Sequence, residues 1–272
     1  EAWDRAELPL ARSLLERHIP EQAGDADFRG FEWYYFWKLT HGAESLLEGS
    51  ARDVRALAMS PDGKYLAVGK MSGTVILWNT DQADKKVEIS LGKDPIRTLV
   101  FSPTESLVAV GTGAPDMPGN VFLLNSTTGE QLQQLSGHTA PVYSVVFTPD
   151  GQTLISASAK VGKSSGDPLG RFDDLREAEA RKGEVLFWSL ESKVPQAYSP
   201  PELKSGTLSL SVSPNGRWLA LGKTDGVVNI YDLFEQSMIT RLSGSAYAIR
   251  SVSIADSGVV AAGGGRYGHA EL

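Results

Sequence analysis

The stretch from Val54 to Asn79, VRALAMSPDGKYLAVGKMSGTVILWN, recurs part by part along the rest of the chain. A recurring unit limits the fold more than any other sequence feature, because one copy cannot bury its own apolar surface and must stack on its neighbours. Within the unit, Val54 to Met59 predicts a strand. Ser60-Pro61-Asp62-Gly63 predicts a tight turn, with proline presetting φ and glycine closing it. Tyr65 to Gly69 predicts a second strand, and a turn at Met71 to Gly73 leads into TVILW, Thr74 to Trp78. A run of consecutive apolar residues of that length fits a strand covered on both faces.

The turn signature returns as SPTE at Ser102, TPDG at Thr148 and SPNG at Ser213, with a blurred copy, SIADSG, from Ser253 to Gly258. The third strands read TVILWN, NVFLLN, EVLFWS and VVNIYD, ending at Asn79, Asn125, Ser189 and Asp232. Successive turns lie 42, 46, 65 and 40 residues apart, the excess in the third interval falling between Ser158 and Glu184. Fourth strands are expected at Val87 to Leu91, Gln131 to Leu135 and Met238 to Leu242, with a poor proline-rich version near Val194 to Pro201.

These features resemble the WD-repeat family: Gly137-His138 before a strand, the S/T-P-D/N-G turns, and the strand ends Trp78-Asn79, Trp188-Ser189 and Tyr231-Asp232. The resemblance implies an all-β fold, a WD-repeat β-propeller with units beginning near 54, 96, 142, 208 and 249: four full blades and part of a fifth. It covers roughly Glu44 onward, giving a propeller over 43–272 and a helical segment over 1–42. The family's stabilising network of a His, a strand Ser or Thr, a turn Asp and a strand Trp is incomplete in every copy. The third comes nearest, with His138, Ser156 or Ser158, and Trp188, its Asp position displaced by the insertion; the fourth keeps Asp225 but has Tyr231 for Trp and no His.

Residues Trp3 to Ile19 carry a helical apolar stripe interrupted by Pro9, and seven aromatics crowd between Phe28 and Trp37. This preamble resembles the helical segment before WD repeats in bacterial serine/threonine protein kinases, a reading under which any kinase domain would lie before Glu1; the chain itself has no HRD or DFG motif. Ser45 to Glu48 is expected to close the last blade as its outermost strand. The chain reads as a piece of a longer protein, its last residues leaving the second strand of a fifth copy.

Composition narrows the functional classes. Thirty-three acidic against twenty-six basic residues give a net charge of −7, which opposes nucleic acid as a partner. No apolar run is long enough to span a bilayer and no secretory leader is recognisable. With no cysteine, thiol chemistry is excluded and either redox compartment is tolerated. Location stays open, the cytoplasm favoured, with an extracytoplasmic placement as the alternative under a membrane-bound kinase.

No motif announces catalysis. Gly162-Lys163-Ser164 lacks the leading glycine of a phosphate loop, Ala157 standing in its place, and GGGRYG, Gly263 to Gly268, follows an antiparallel strand with no helix after it. Asn125-Ser126-Thr127 fits a glycosylation sequon by letter only. His18, His41, His138 and His269 stand in separate elements, none with a second ligand at metal spacing. No cofactor is expected.

The function read from the sequence is a non-catalytic protein-protein interaction scaffold presenting rim loops to protein or peptide partners. The candidate contacts are Arg52, Asp53, Lys70, Met71, Asp94, Asp116, Met117, Thr139, Lys223, Tyr247 and Arg250, plus the insertion 159–183, with a short helix expected over Asp173 to Lys182. His138, Ser156, Trp78, Trp188, Asp225 and Tyr231 are expected to be structural. Two other readings stay open: the sensory or substrate-docking region of a bacterial serine/threonine kinase, and a propeller hydrolase or lyase with a site assembled from several blades.

Overall fold

Each signature turn is locked by its own side chains. Ser60 Oγ donates to Asp62 Oδ1 at 2.7 Å and accepts the Tyr65 amide at 2.9 Å, while the Gly63 amide reaches the Ser60 carbonyl at 2.9 Å. The same arrangement recurs at Ser213, which donates to Asn215 at 2.7 Å and accepts from the Trp218 amide at 2.9 Å. Gly63, Gly151 and Gly216 take φ of 73°, 72° and 75°, a left-handed conformation that glycine enters without a Cβ penalty.

These turns set up antiparallel hairpins. In the computed structural model, which describes residues 13–18, 36, 53–115, 117–160, 182–191, 197–203, 206–243, 248–264 and 269–271, the chain divides into two units, Glu1–Gly49 and Ser50–Leu272. Of the first unit, residues 13–16 are helical and so is Phe36. The rest of the 1–42 segment, with its aromatic cluster, and the strand expected at Ser45 to Glu48 lie outside the described residues.

The second unit consists of β-sheets. The first sheet is β1 (Val54–Met59), β2 (Tyr65–Lys70), β3 (Thr74–Asn79) and β4 (Gln82–Ser90) in that order. The second is β5 (Ile96–Phe101), β6 (Leu107–Thr112), β7 (Asn120–Asn125) and β8 (Gln131–Ser136). The third is β9 (Val142–Phe147), β10 (Thr153–Ser158), β11 (Val185–Ser189) and β12 (Ala197–Tyr198). The fourth is β13 (Thr207–Val212), β14 (Trp218–Lys223), β15 (Val227–Asp232) and β16 (Ser237–Ser243). The fifth contains β17 (Ile249–Ile254), β18 (Val260–Gly264) and β19 (His269–Glu271).

Successive sheets stack face on face, each pair sharing one apolar layer. Leu77 and Val75 meet Ile96, Phe101 and Leu124 between the first two sheets. Leu123 and Val121 meet Val145 and Trp188 between the next two. Ile155 and Val185 meet Leu210, Leu219 and Tyr231 between the third and fourth, and Val228 and Ile230 meet Ile249 and Val252 beyond that. The third strands are therefore buried on both faces, Val121 and Leu124 fully so. Each such side chain contributes about 1.5–3 kcal/mol.

The first strands of neighbouring sheets touch one another, β1 to β5 to β9 to β13 to β17, so they form the inner edge of the stack. Serines stitch that edge: Ser144 Oγ accepts the Leu210 amide at 3.1 Å and Ser211 Oγ the Ile254 amide at 3.3 Å. Among the described residues the sheets run as an open series and do not close into a ring. One expectation needs correction: β4 begins at Gln82, well before Val87. The fourth strand of the third sheet is described at Ala197–Tyr198, within the proline-rich stretch expected to hold it.

Candidate functional site

The pairing of first and second strands is interrupted at one recurring place. Register breaks between Val54 and Ala56, Ile96 and Thr98, Thr207 and Ser209, and Ile249 and Ser251, and in the third sheet Val142 pairs Ser158 while Ser144 pairs Ala157. The extra residue is Arg55, Arg97, Leu208, Arg250 and Tyr143 respectively. A bulge turns its side chain away from the regular pleat, so five side chains are re-aimed at the same level of the inner edge.

They form a connected lip. Arg97 Nε donates to the Gly113 carbonyl at 2.6 Å and its guanidinium sits 4.6 Å from the centre of the Tyr143 ring. Tyr143 in turn packs against the cluster of Ala159, Leu208 and Ala248. Burial pulls the Arg97 guanidinium below its ordinary value; the charge interaction with Tyr143 opposes this, and Arg55, close enough to repel it, adds to it. Arg55 and Arg250 remain exposed.

The described rim candidates sit at this same end. Asp53 precedes β1 and its carbonyl accepts the Met71 amide at 2.7 Å. Lys70 ends β2, and Met71 is 41% and Met117 57% exposed, each on a loop between second and third strands. Asp94 lies on the connection into β5, where its carbonyl crowds Gly73. Lys223 departs from the expectation: it is 8% exposed, and burial lowers its pKa against the opposing charge of Asp225, with Arg241 adding to the lowering. Its side chain is largely enclosed. Arg52, Asp116, Tyr247 and residues 161–181 of the insertion lie outside the described residues; of the helix expected over Asp173 to Lys182, Lys182 alone is described, and it is not helical.

Behind the lip, the third sheet holds a buried polar network. Ser156 Oγ accepts the Trp188 indole N–H at 2.8 Å and lies 2.7 Å from His138 Nε2. The other ring nitrogen, His138 Nδ1, is 3.7 Å from Glu184 Oε2. Glu184 also accepts the Ser158 hydroxyl at 2.7 Å, the Thr139 hydroxyl, and the Thr139 amide at 3.3 Å. Burial pushes this carboxyl up, but the nearby His138 ring and the hydrogen bonds from Thr139 and Ser158 outweigh it and hold the pKa at about 2.

Glu184, the residue just before β11, is the acidic group beside this network, and His138 Nδ1 is buried without a hydrogen-bond partner among the described residues. Thr139 is committed to Glu184 rather than free on the rim. In the fourth sheet Asp225 accepts Arg241 at 3.3 Å, and Tyr231 is buried with its ring 6.2 Å from Phe187. Trp78 is buried in the first sheet opposite Leu66. Among the described residues no group of three His, Asp or Glu is placed to hold a metal ion, and no helix is long and apolar enough to cross a membrane.

Residues 43–79, 129–160 and 202–232 match the family model described as "WD domain, G-beta repeat". Those three stretches of the chain match WD40 repeats. Among similar proteins are "WD repeat-containing protein SL1-17" of Schistosoma mansoni, 36% identical over 123 residues, 45% of this chain and 39% of that protein. "THO complex subunit 3" of Arabidopsis thaliana is 23% identical over 248 residues, 82% of this chain and 76% of that protein. "Telomerase Cajal body protein 1" of Mus musculus is 25% identical over 185 residues, 65% of this chain and 30% of that protein. The chain therefore spans well under half the length of the first and third of these.

None of the WD40 matches covers residues 1–42, so the kinase-linked reading of that segment gains no support. In WD40 terms, each first strand contributes one bulged residue to the inner lip. Of those five, only Arg250 was legible as a site residue. Arg55, Arg97, Tyr143 and Leu208 share a sequence signal: each is the second residue of its sheet's first strand.

Proposed function

We propose that this chain is a non-catalytic protein-interaction scaffold, and that partners dock on the rim formed by the bulged lip and the loops outside it. The observation that carries the reading is the repetition: five sheets place a bulge at one level, and the resulting lip runs from Arg55 and Arg97 through Tyr143 and Leu208 to Arg250. Met71 and Met117 flank it with adaptable apolar surface. The sheets hold these groups still, so a partner binds without ordering them. A relative named as a subunit of the THO complex agrees with work among protein partners.

The test is affinity capture from a native lysate, read by mass spectrometry, with wild type against Arg55→Glu/Arg250→Glu and Met117→Ser. All three positions are exposed, so circular dichroism and melting should stay at wild-type values. Loss of the captured proteins by the variants is expected. An unchanged set of captured proteins overturns the rim assignment.

A further inference from the structure

The other end of the sheets holds a cleft that the rim does not use. It opens between the third and fourth sheets with a volume of about 400 Å³. Ala197 and Tyr198 of β12 pair with Trp188 and Phe187. Aromatic faces line the cleft beside that pairing. Tyr198 lies 6.5 Å from Phe187 and Phe187 6.2 Å from Tyr231, a continuous row with Tyr231 as the buried floor. Tyr198 and Phe234, on the lips, are 55% and 70% exposed.

The backbone that carries Phe234 is pinned. Its amide and that of Glu235 donate to Asp232 Oδ1 at 2.9 and 3.0 Å. The same turn ends at Gln236, which lines the cleft with φ of 50°, where the second sheet uses Gly129 with φ of 75°. A side chain is kept at a backbone position that favours glycine.

Among the described residues that line the cleft, the charged group is acidic. Asp150 lines it, and hydrogen bonds from the Thr148 hydroxyl and the Gln152 amide hold its carboxyl below the usual range. Glu235 sits on the Phe234 turn, and Asp256 accepts the Asn215 amide beside the cleft at 2.7 Å. No Lys or Arg is among the described residues lining it. Arg217 on the adjoining turn is occupied, 3.1 Å from Asp232 and stacked 4.4 Å from the Trp218 ring centre.

Aromatic faces beside an uncompensated carboxylate attract organic cations. We infer that this cleft is a second binding site, taking the guanidinium or ammonium group of an extended basic peptide between Tyr198 and Phe234 with Asp150 as counter-charge. The cation stacks on the exposed rings while the flanking apolar side chains of the peptide cover Phe187. This site stands independently of the rim reading.

The test uses the full chain and a fluorescein-labelled peptide, Ser-Gly-Leu-Arg-Arg-Leu-Gly-Ser, in fluorescence polarisation. Controls carry citrulline or Glu in place of both arginines. Saturable binding of the arginine peptide is expected, weakened about tenfold or more by citrulline and abolished by Glu. Phe234→Ala and Asp150→Asn should each weaken it roughly fivefold or more. Both substitutions lie at the surface, and Asn keeps the acceptor that the Thr148 turn needs. Arg55→Glu/Arg250→Glu should leave peptide affinity unchanged, so a failed rim and a failed cleft are told apart. Equal binding of arginine and citrulline peptides, which marks an apolar groove only, overturns the proposal; so does indifference to Phe234→Ala and Asp150→Asn, or no saturable binding.

Discussion

Ser156 Oγ is the one atom on which two fully enclosed rings depend. Trp188 Nε1 has only a donor to give, and His138 Nε2 meets the same oxygen. Ser156→Ala therefore strands an indole N–H and an imidazole nitrogen together. An unpaired buried polar group costs about 1–3 kcal/mol, so a loss of roughly 3 kcal/mol is expected, measured by chemical denaturation; a loss below about 0.5 kcal/mol would show the network to be idle. Glu184 makes the same network sensitive to acid. Its folded pKa of about 2 lies below the ordinary 4.5, so its contribution is fully present above pH 4.5 and fades as pH falls toward 2. After allowance for the solvent that still reaches the carboxylate, that contribution is about 1–2 kcal/mol. Glu184→Gln should remove this part of the pH dependence, seen as a flatter plot of stability against pH below 4.5; an unchanged slope would sink the assignment. Gln236 shows backbone strain of the opposite consequence. Gln236→Gly relieves a left-handed φ and should stabilise the fold by about 0.5–1 kcal/mol, even after the added freedom of the unfolded chain. A melting point at or below wild type would mean the strain is not there.

At the scale of strands, the close approach of one sheet to the next is set by glycine in the second strand. A Cβ on Gly111 would lie 2.8 Å from Val142 Cγ1, and one on Gly69 would overlap Ile96 in the same relation between the first two sheets. Gly111→Val should therefore force β6 and β9 apart and cost about 2–3 kcal/mol, as overpacked cores do. Wild-type stability in urea would count against this stacking. The strands themselves were legible in the sequence because their punctuation is local: the Ser60 and Ser213 turns close their bonds within five residues, and TVILWN or NVFLLN announces burial on both faces. The lip was legible only in part. A bulge at Arg55 or Arg97 is a property of cross-strand register, and nothing in VRAL or IRTL states it. Glu184 escaped notice because 26 residues of chain separate it from Ser158, its partner in space. Lys223 reads as a rim charge by position, yet packing between sheets hides it. β12 is followed closely by Pro200 and Pro201, which have no backbone donor to give.

For the stack as a whole, the question is whether the long insertion belongs to the scaffold or only hangs from it. Both of its ends are pinned inside the third sheet. The Lys160 amide donates to the Lys182 carbonyl at 2.8 Å, and the Ser158 amide to the Glu184 carbonyl at 2.9 Å. The polar network around Ser156 is built from His138, Trp188, Ser158, Thr139 and Glu184, on the sheet side of that neck. Loop closure grows only slowly with length, about 0.6 kcal/mol per doubling. Replacing residues 161–181 by a four-residue Gly-Ser linker should then stabilise the fold by at most about 1.5 kcal/mol. Thermal melting measures this, and a loss of several degrees would show that the insertion packs on the sheets as part of the fold. The same variant, taken through the capture experiment, separates two roles at the rim. Proteins that remain bound are held by the lip of Arg55, Tyr143 and Arg250; proteins that disappear while the melting point holds are gripped by the insertion itself.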